Sequence, residues 1–249
     1  MRDWRVLVTR PEGQSLGRRL RDRGARPVLV PTIAIAELAP GGPLDEAMRE
    51  IDAFGWIVVT SANGARALFR RMRALSVALP DGPRWAAVGP ATAAALEVEG
   101  VRAERVPRAG NGAAIAGLLG ELSGVRVLLP RAKIAGRDLP SALTARGAMV
   151  EDVPAYDTVI GPESSRIPLA QALREGLEAA IFTSGSTVEG FFRLAPEPLS
   201  ALSTILTVSI GRSTARALSA AGVEPSAVAA TPSPAAIVEA LERTARARA

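Results

Sequence analysis

Ala180-Ile181-Phe182-Thr183-Ser184-Gly185-Ser186-Thr187-Val188-Glu189-Gly190-Phe191-Phe192 reads in three parts. An apolar run closes on Thr183-Ser184, a glycine-and-hydroxyl turn follows, and Val188, Phe191 and Phe192 then recur at i, i+3 and i+4. That is a buried strand feeding a helix. The pattern is written a second time in Trp56-Ile57-Val58-Val59-Thr60-Ser61-Ala62-Asn63-Gly64-Ala65, after which Ala65, Leu68, Phe69 and Met72 line one helical face. In both copies Thr-Ser brings hydroxyls and unpaired backbone N–H groups to a helix N-terminus, a place suited to an anion.

Outward from these two turns the rest of the chain also occurs twice. Val125-Arg126-Val127-Leu128-Leu129-Pro130-Arg131 answers Arg5-Val6-Leu7-Val8-Thr9-Arg10, Gly147-Ala148 answers Gly24-Ala25, and Val153-Pro154 answers Val30-Pro31. Ile210-Gly211-Arg212-Ser213-Thr214 answers Val88-Gly89-Pro90-Ala91-Thr92, and Gly222 answers Gly100. Residues 101–106 are expected to form a further short strand. The constant offset predicts a tandem duplication of a five-strand α/β unit, and strands alternating with helices predict a parallel, doubly wound sheet in each copy. Each copy has a long extended connection after its second strand, residues 32–38 and 155–160. Either each repeat folds by itself, or these connections let the two exchange their first βαβ elements.

The composition removes many chemistries. With neither cysteine nor histidine, the chain can hold no disulfide, no zinc site built on those residues, no cysteine nucleophile and no Ser-His pair. Acid–base chemistry must come from Asp, Glu, Tyr, Arg, the single Lys133 or the substrate itself. The formal charge of +5 suits a polycarboxylate, phosphate or nucleic-acid partner, although coding bias or thermal adaptation also enriches arginine. No apolar run reaches the length of a membrane span, and the first residues enter a strand directly, so a soluble, cytoplasmic protein is expected.

No cofactor fingerprint is complete. Gly110-Asn111-Gly112 starts like a dinucleotide loop but lacks the third glycine, and no glycine-rich loop ends in Lys-Ser or Lys-Thr. The candidates are instead the strand-to-helix turns: Thr60-Ser61-Ala62-Asn63-Gly64, Gly89-Pro90-Ala91-Thr92, Thr183-Ser184-Gly185-Ser186-Thr187, Gly211-Arg212-Ser213-Thr214 and Thr231-Pro232-Ser233-Pro234. In a parallel sheet such turns gather at the carboxyl edge, where ligands bind, and two such edges facing each other would make a cleft. Each turn is equally readable as a simple helix cap. Arg10, Arg131 and Lys133 follow the first strands of the repeats and belong to the same edges, with a solvated surface as the alternative. Tyr156, the only tyrosine, is either a packed side chain or, facing a ligand, a neutral proton donor.

Together, Val6-Leu7-Val8-Thr9-Arg10-Pro11, Ala155-Tyr156-Asp157-Thr158, Phe182-Thr183-Ser184-Gly185-Ser186, Ile210-Gly211-Arg212-Ser213-Thr214-Ala215 and Thr231-Pro232-Ser233-Pro234 resemble the uroporphyrinogen-III synthase family, in order and along the whole chain. The resemblance implies two flavodoxin-like domains, residues 1–34 with 159–249 and residues 35–158, joined by a two-stranded linker that hinges on substrate. It implies that no cofactor or metal is needed; a monomer that binds neither nucleic acid nor membrane is expected. Its substrate would be the polycarboxylate hydroxymethylbilane. Water leaves the ring A hydroxymethyl group, ring D attacks through its substituted carbon, and a spiro intermediate recloses with ring D inverted. Unassisted closure gives the type I isomer, so the enzyme's task is to hold one geometry. Tyr156 matches the family's linker tyrosine and is expected to assist hydroxyl departure. Ser213 and Thr214 match a Gly-x-Thr-Thr-like turn, with serine at the first hydroxyl position.

Two other classes fit parts of the sequence. A two-lobed binding protein for an anionic small molecule would share the fold, and a nucleic-acid binder would share the charge. Aromatics at 4% of residues offer little surface for base stacking.

Overall fold

The computed structural model describes residues 1–107 and 112–248; Gly110 and Asn111 of the glycine-containing loop lie outside them. Along the chain run β1 (Arg5–Val8), α1 (Gln14–Arg21), β2 (Arg26–Leu29), β3 (Ile33–Ala36), α2 (Pro43–Arg49), β4 (Trp56–Val59), α3 (Ala62–Ala74), β5 (Arg84–Ala87), α4 (Pro90–Val98) and α5 (Gly112–Leu118). Then come β6 (Arg126–Ala132), α6 (Asp138–Thr144), β7 (Met149–Ile160), α7 (Arg166–Arg174), β8 (Ala179–Phe182), α8 (Gly185–Leu194), α9 (Pro198–Ser203), β9 (Leu206–Ser209), α10 (Arg212–Ala220), β10 (Ala227–Val228) and α11 (Pro234–Arg248).

The chain divides into two compact units, Met1–Ala34 with Val159–Ala249, and Ile35–Thr158. In the first, the sheet order is β10-β9-β8-β1-β2, with parallel pairing throughout. Read in chain order within the unit this is 2-1-3-4-5, the flavodoxin-like order, whose switch point lies between β1 and β8. In the second the order is β3-β7-β6-β4-β5, and β6 pairs in parallel with both β4 and β7. The switch point there lies between β6 and β4. The first strand of each repeat is thus paired with the third strand of the other, β1 with β8 and β6 with β4.

Helices cover both faces of each sheet, which is why the central strands are apolar without alternation. In the first unit Leu16 and Leu20 of α1 and Ile237 and Leu241 of α11 pack on Val6, Val8, Ile181 and Val208. On the opposite face Leu169, Phe191 and Leu218 pack on Leu7, Ala180 and Phe182. The second unit repeats the scheme, with α2, α3 and α4 over Ile57, Val59 and Leu128 and α5 and α6 over Val58, Val127 and Leu129. Gly24 and Gly147, which answer each other in sequence, take φ of +79° and +85°, and a side chain at either would be strained.

One expected strand is reduced. Residues 101–106 make a single parallel bridge, Ala86 with Arg105. Arg102, Glu104 and Arg105 are polar, the segment lies at the sheet edge, and Pro107 has no N–H to extend the ladder.

A buried ion pair ties α2 to α3. Asp45, 3% exposed, receives Nε and Nη2 of Arg71 on its two oxygens and the Gly41 N–H at 2.6 Å. The Arg71 hydrogen bonds hold the Asp45 carboxyl below its ordinary value, against the opposing effect of burial. A carboxyl depressed in the folded state stabilises the fold above its unfolded value of about 4, and that contribution fades as pH falls through the folded value. Asp45→Asn should therefore lower the urea midpoint at neutral pH, with the gap to the parent narrowing as pH falls below the unfolded carboxyl value of about 4. A gap independent of pH would contradict this account.

Candidate active site

In the first unit the candidate turns follow adjacent strands of one sheet, so they stand side by side at its carboxyl edge. Ser233 follows β10, residues 211–214 follow β9, residues 184–187 follow β8 and Arg10 follows β1. Neighbouring strands lie about 4.8 Å apart, so this edge presents a row of helix N-termini.

The turns differ in how much of that capacity they use internally. Before α8, Ser184 and Thr187 form a reciprocal capping box. Ser184 Oγ accepts the Thr187 N–H at 3.2 Å, Thr187 Oγ1 accepts the N–H groups of Thr183 and Ser184 at 3.2 and 3.1 Å, and it donates to the Ser184 carbonyl at 2.7 Å. Thr187 is fully buried and serves the turn. Gly185 is exposed and Ser186 half-buried, with the two Oγ atoms of Ser184 and Ser186 2.9 Å apart. Before α10, by contrast, Gly211 supplies no side-chain cap. Arg212 and Ser213 are exposed while Thr214 is buried. The α10 first turn thus offers orphan N–H groups, an exposed hydroxyl and an arginine to an anion. Ser233 Oγ accepts the Ala236 N–H at 3.2 Å and caps α11. Arg10 is half-buried.

In the second unit Ser61, Asn63 and Gly64 follow β4 and Lys133 follows β6, the two strands flanking the switch point, while residues 89–92 follow β5 on the other side of β4. Ser61 is the N-cap of α3, and its Oγ accepts the Gly64 N–H at 3.0 Å. Gly64 is needed for close approach, since a Cβ there would sit 3.1 Å from the Pro130 carbonyl oxygen of β6. Asn63 Oδ1 accepts from Arg66 at 2.9 Å. Gly89 caps α4 without a side chain, leaving Pro90 and Ala91 at the surface and Thr92 buried. Arg131, 6% exposed, is held inside the fold: its Nε meets Asp152 Oδ1 at 2.5 Å, Nη2 meets Asp152 Oδ2, and Nη1 donates to the Gly136 carbonyl at 2.5 Å. It thereby fixes the loop that carries Lys133. The Lys133 N–H donates to the Tyr156 carbonyl at 2.9 Å, and its exposed ammonium lies 3.8 Å from Asp157.

Tyr156 reaches this cluster through an irregularity in β7. Pro154 pairs with Arg131, but Tyr156, not Ala155, pairs with Ala132. One residue is extra, and both Ala155 and Tyr156 are buried, at 5% and 7% exposure. Bulges of this kind re-aim side chains near sites. The ring packs in the core with Val153 and Ala155, and the phenolic oxygen ends 3.1 Å from Ser61 Oγ. Sequence reading named both residues but not their contact, which depends on strand order across 95 positions.

Among the described residues no group of three or more His, Cys, Asp or Glu could hold a metal ion, and no helix is long and apolar enough to cross a membrane.

The family model described as "Uroporphyrinogen-III synthase HemD" matches residues 14–239. A uroporphyrinogen-III synthase of Synechococcus elongatus is 34% identical over 197 residues, covering 76% of this chain and 74% of that protein. The porphyrin biosynthesis protein HemD of Ruminiclostridium josui is 32% identical over 220 residues, 86% of this chain and 43% of that longer protein. Among solved structures, a mutant uroporphyrinogen III synthase of Thermus thermophilus has a TM-score of 0.69 at 23% identity, covering 98% of this chain and 99% of that one. The uroporphyrinogen-III synthetase of Helicobacter pylori has a TM-score of 0.63 at 18% identity with the same coverage. The structures show the shared fold, and the family match together with the Synechococcus relative establishes that the chain belongs to the uroporphyrinogen-III synthase family.

Proposed function

We propose that the chain cyclises hydroxymethylbilane to uroporphyrinogen III, in tetrapyrrole biosynthesis, as a cytoplasmic monomer with no bound cofactor. The observation that carries this reading, within the family, is the row of helix N-termini at the carboxyl edge of the first sheet, led by the uncapped first turn of α10. Backbone N–H groups there bind carboxylates without demanding one side-chain identity. Each N-terminus contributes about 0.3–1 kcal/mol when exposed, so a polycarboxylate held at several is bound firmly while no single contact is indispensable. Arg10, Ser184, Ser186, Arg212, Ser213 and Ser233 supplement the N–H groups of the first unit's turns, and Asn63 and Lys133 are the corresponding candidates of the second.

The chemistry asks little of the protein beyond geometry. The pyrrole nitrogen of ring A expels the hydroxymethyl oxygen once that oxygen is protonated, and Tyr156 supplies the proton. Water leaves, and the electron-rich substituted carbon of ring D attacks the resulting azafulvene. Holding ring D so that this carbon is presented is the orientation task that distinguishes the type III outcome.

Turnover is tested by the lifetime of freshly generated hydroxymethylbilane. Its disappearance should accelerate in proportion to protein concentration, and a lifetime indifferent to protein would rule out catalysis.

A further inference from the structure

We infer that Ser61 fixes the direction in which the Tyr156 hydroxyl points, by donating its own proton to the phenolic oxygen. This rests on the assignment of Tyr156 as the proton donor.

A serine hydroxyl has one proton and two lone pairs. Ser61 Oγ already accepts the Gly64 N–H at 3.0 Å, as the N-cap of α3. Its remaining proton needs an acceptor, and the phenolic oxygen stands 3.1 Å away. Accepting from Gly64 also makes the Ser61 hydroxyl the better donor of the pair, because hydrogen bonds in a chain polarise one another. The positive end of the α3 dipole acts in the same sense.

The rest of Tyr156 is held by packing and hydrogen bonding. Its ring is packed with Val153 and Ala155, its carbonyl is held by the Lys133 N–H, and the irregularity at Ala155 sets its side. The rotation of the phenolic O–H is what remains to be fixed. If the phenol donated to Ser61, its proton would point into the cap and away from substrate. With Ser61 as donor, the phenol is a pre-aimed acid and loses no reorganisation when the hydroxymethyl oxygen arrives. Ser61 is then a positioning residue, acting through Tyr156.

The test uses two substitutions of nearly the same shape. Asparagine and aspartate are both good N-caps, but an aspartate carboxylate can only accept, whereas the asparagine amide can donate to the phenol. Ser61→Asp should therefore fall below Ser61→Asn by about tenfold in kcat. In the Tyr156→Phe background there is no phenol to orient, and the gap between the two should shrink to within about twofold. Ser61→Thr, which restores cap and donor together, should recover kcat relative to Ser61→Ala, so the inference stays testable if one of the bulkier variants folds poorly. An undiminished gap in the Tyr156→Phe background would assign the effect to charge at position 61 and overturn the inference. Equal kcat for the Asp and Asn variants, with Tyr156→Phe still impaired, would leave Tyr156 as the acid and remove Ser61 from its control. Full activity of Tyr156→Phe would overturn both.

Discussion

Replacing Gly190 by alanine should lower the melting temperature by about 6–12 °C, from a cost on the order of 3 kcal/mol. A Cβ at Gly190 would lie 1.9 Å from the Thr32 carbonyl oxygen and 2.8 Å from its carbon. Neither side can yield cheaply. Thr32 is fully buried; its N–H donates to the Thr9 carbonyl at 2.8 Å and its own carbonyl accepts the Gly161 N–H at 2.9 Å. Its hydroxyl donates to the Thr187 carbonyl of α8 at 2.7 Å. On the helix side, Val188 and Phe191 anchor α8 in the core, with Phe191 edge-on to Phe182 at 5.5 Å between ring centroids. The helix must therefore lift, and the hydrogen bonds at Thr32 must lengthen with it. Gly117, in α5 with nothing within 4 Å of an added Cβ, is the control, and Gly117→Ala should be neutral or slightly stabilising. A Gly190→Ala protein melting within about 2 °C of the parent would show that this contact is not a constraint.

Tyr156→Phe should reduce kcat by about tenfold or more while leaving the fold intact. The phenyl ring fills the same volume among Val153, Ala155 and their neighbours, so packing is preserved. The hydrogen bond to Ser61 is lost, at about 1 kcal/mol of stability. Because this is the chain's only tyrosine, no second phenol can substitute for it. An unchanged kcat in a protein of near-parental stability would remove Tyr156 from the mechanism.

The α/β class was legible because its determinants are local. In each copy the apolar run, the cap (Ser61 or Ser184) and the periodic face of the helix follow one another directly, from Trp56 to Met72 and from Ala180 to Phe192, and hydroxyls at a helix start carry their reason with them. The doubled order of motifs extended that reading to the whole chain. Segment 101–106 reads as a strand from its apolar ends, Val101 and Val106, yet its contact with β5 runs through the polar pair Glu104 and Arg105, whose backbones bond to Trp85 and Ala87.

The candidate site was legible as a set of turns but not as an arrangement. Arg131 reads as an edge cation because it ends an apolar strand. Its partner Asp152 sits on the neighbouring strand, at the position paired with Leu129, and only the register reveals that the charge is spent inside the unit. The Ser61–Tyr156 contact likewise needs strand order and a bulge that no period announces. Gly190 gave a weaker hint: a glycine inside an otherwise apolar helical face is out of place unless another backbone passes close to it. What that backbone is, Thr32, is not local information.

The measurement that tests the central claim most directly is the isomer composition of the product. The protein is incubated with freshly generated hydroxymethylbilane, the products are oxidised, and type I and type III uroporphyrins are separated. The account predicts that type III predominates over the type I isomer formed without enzyme. Type I alone, from protein shown to be folded, would contradict it, leaving the family's fold without its chemistry and favouring a two-lobed binder of anionic small molecules.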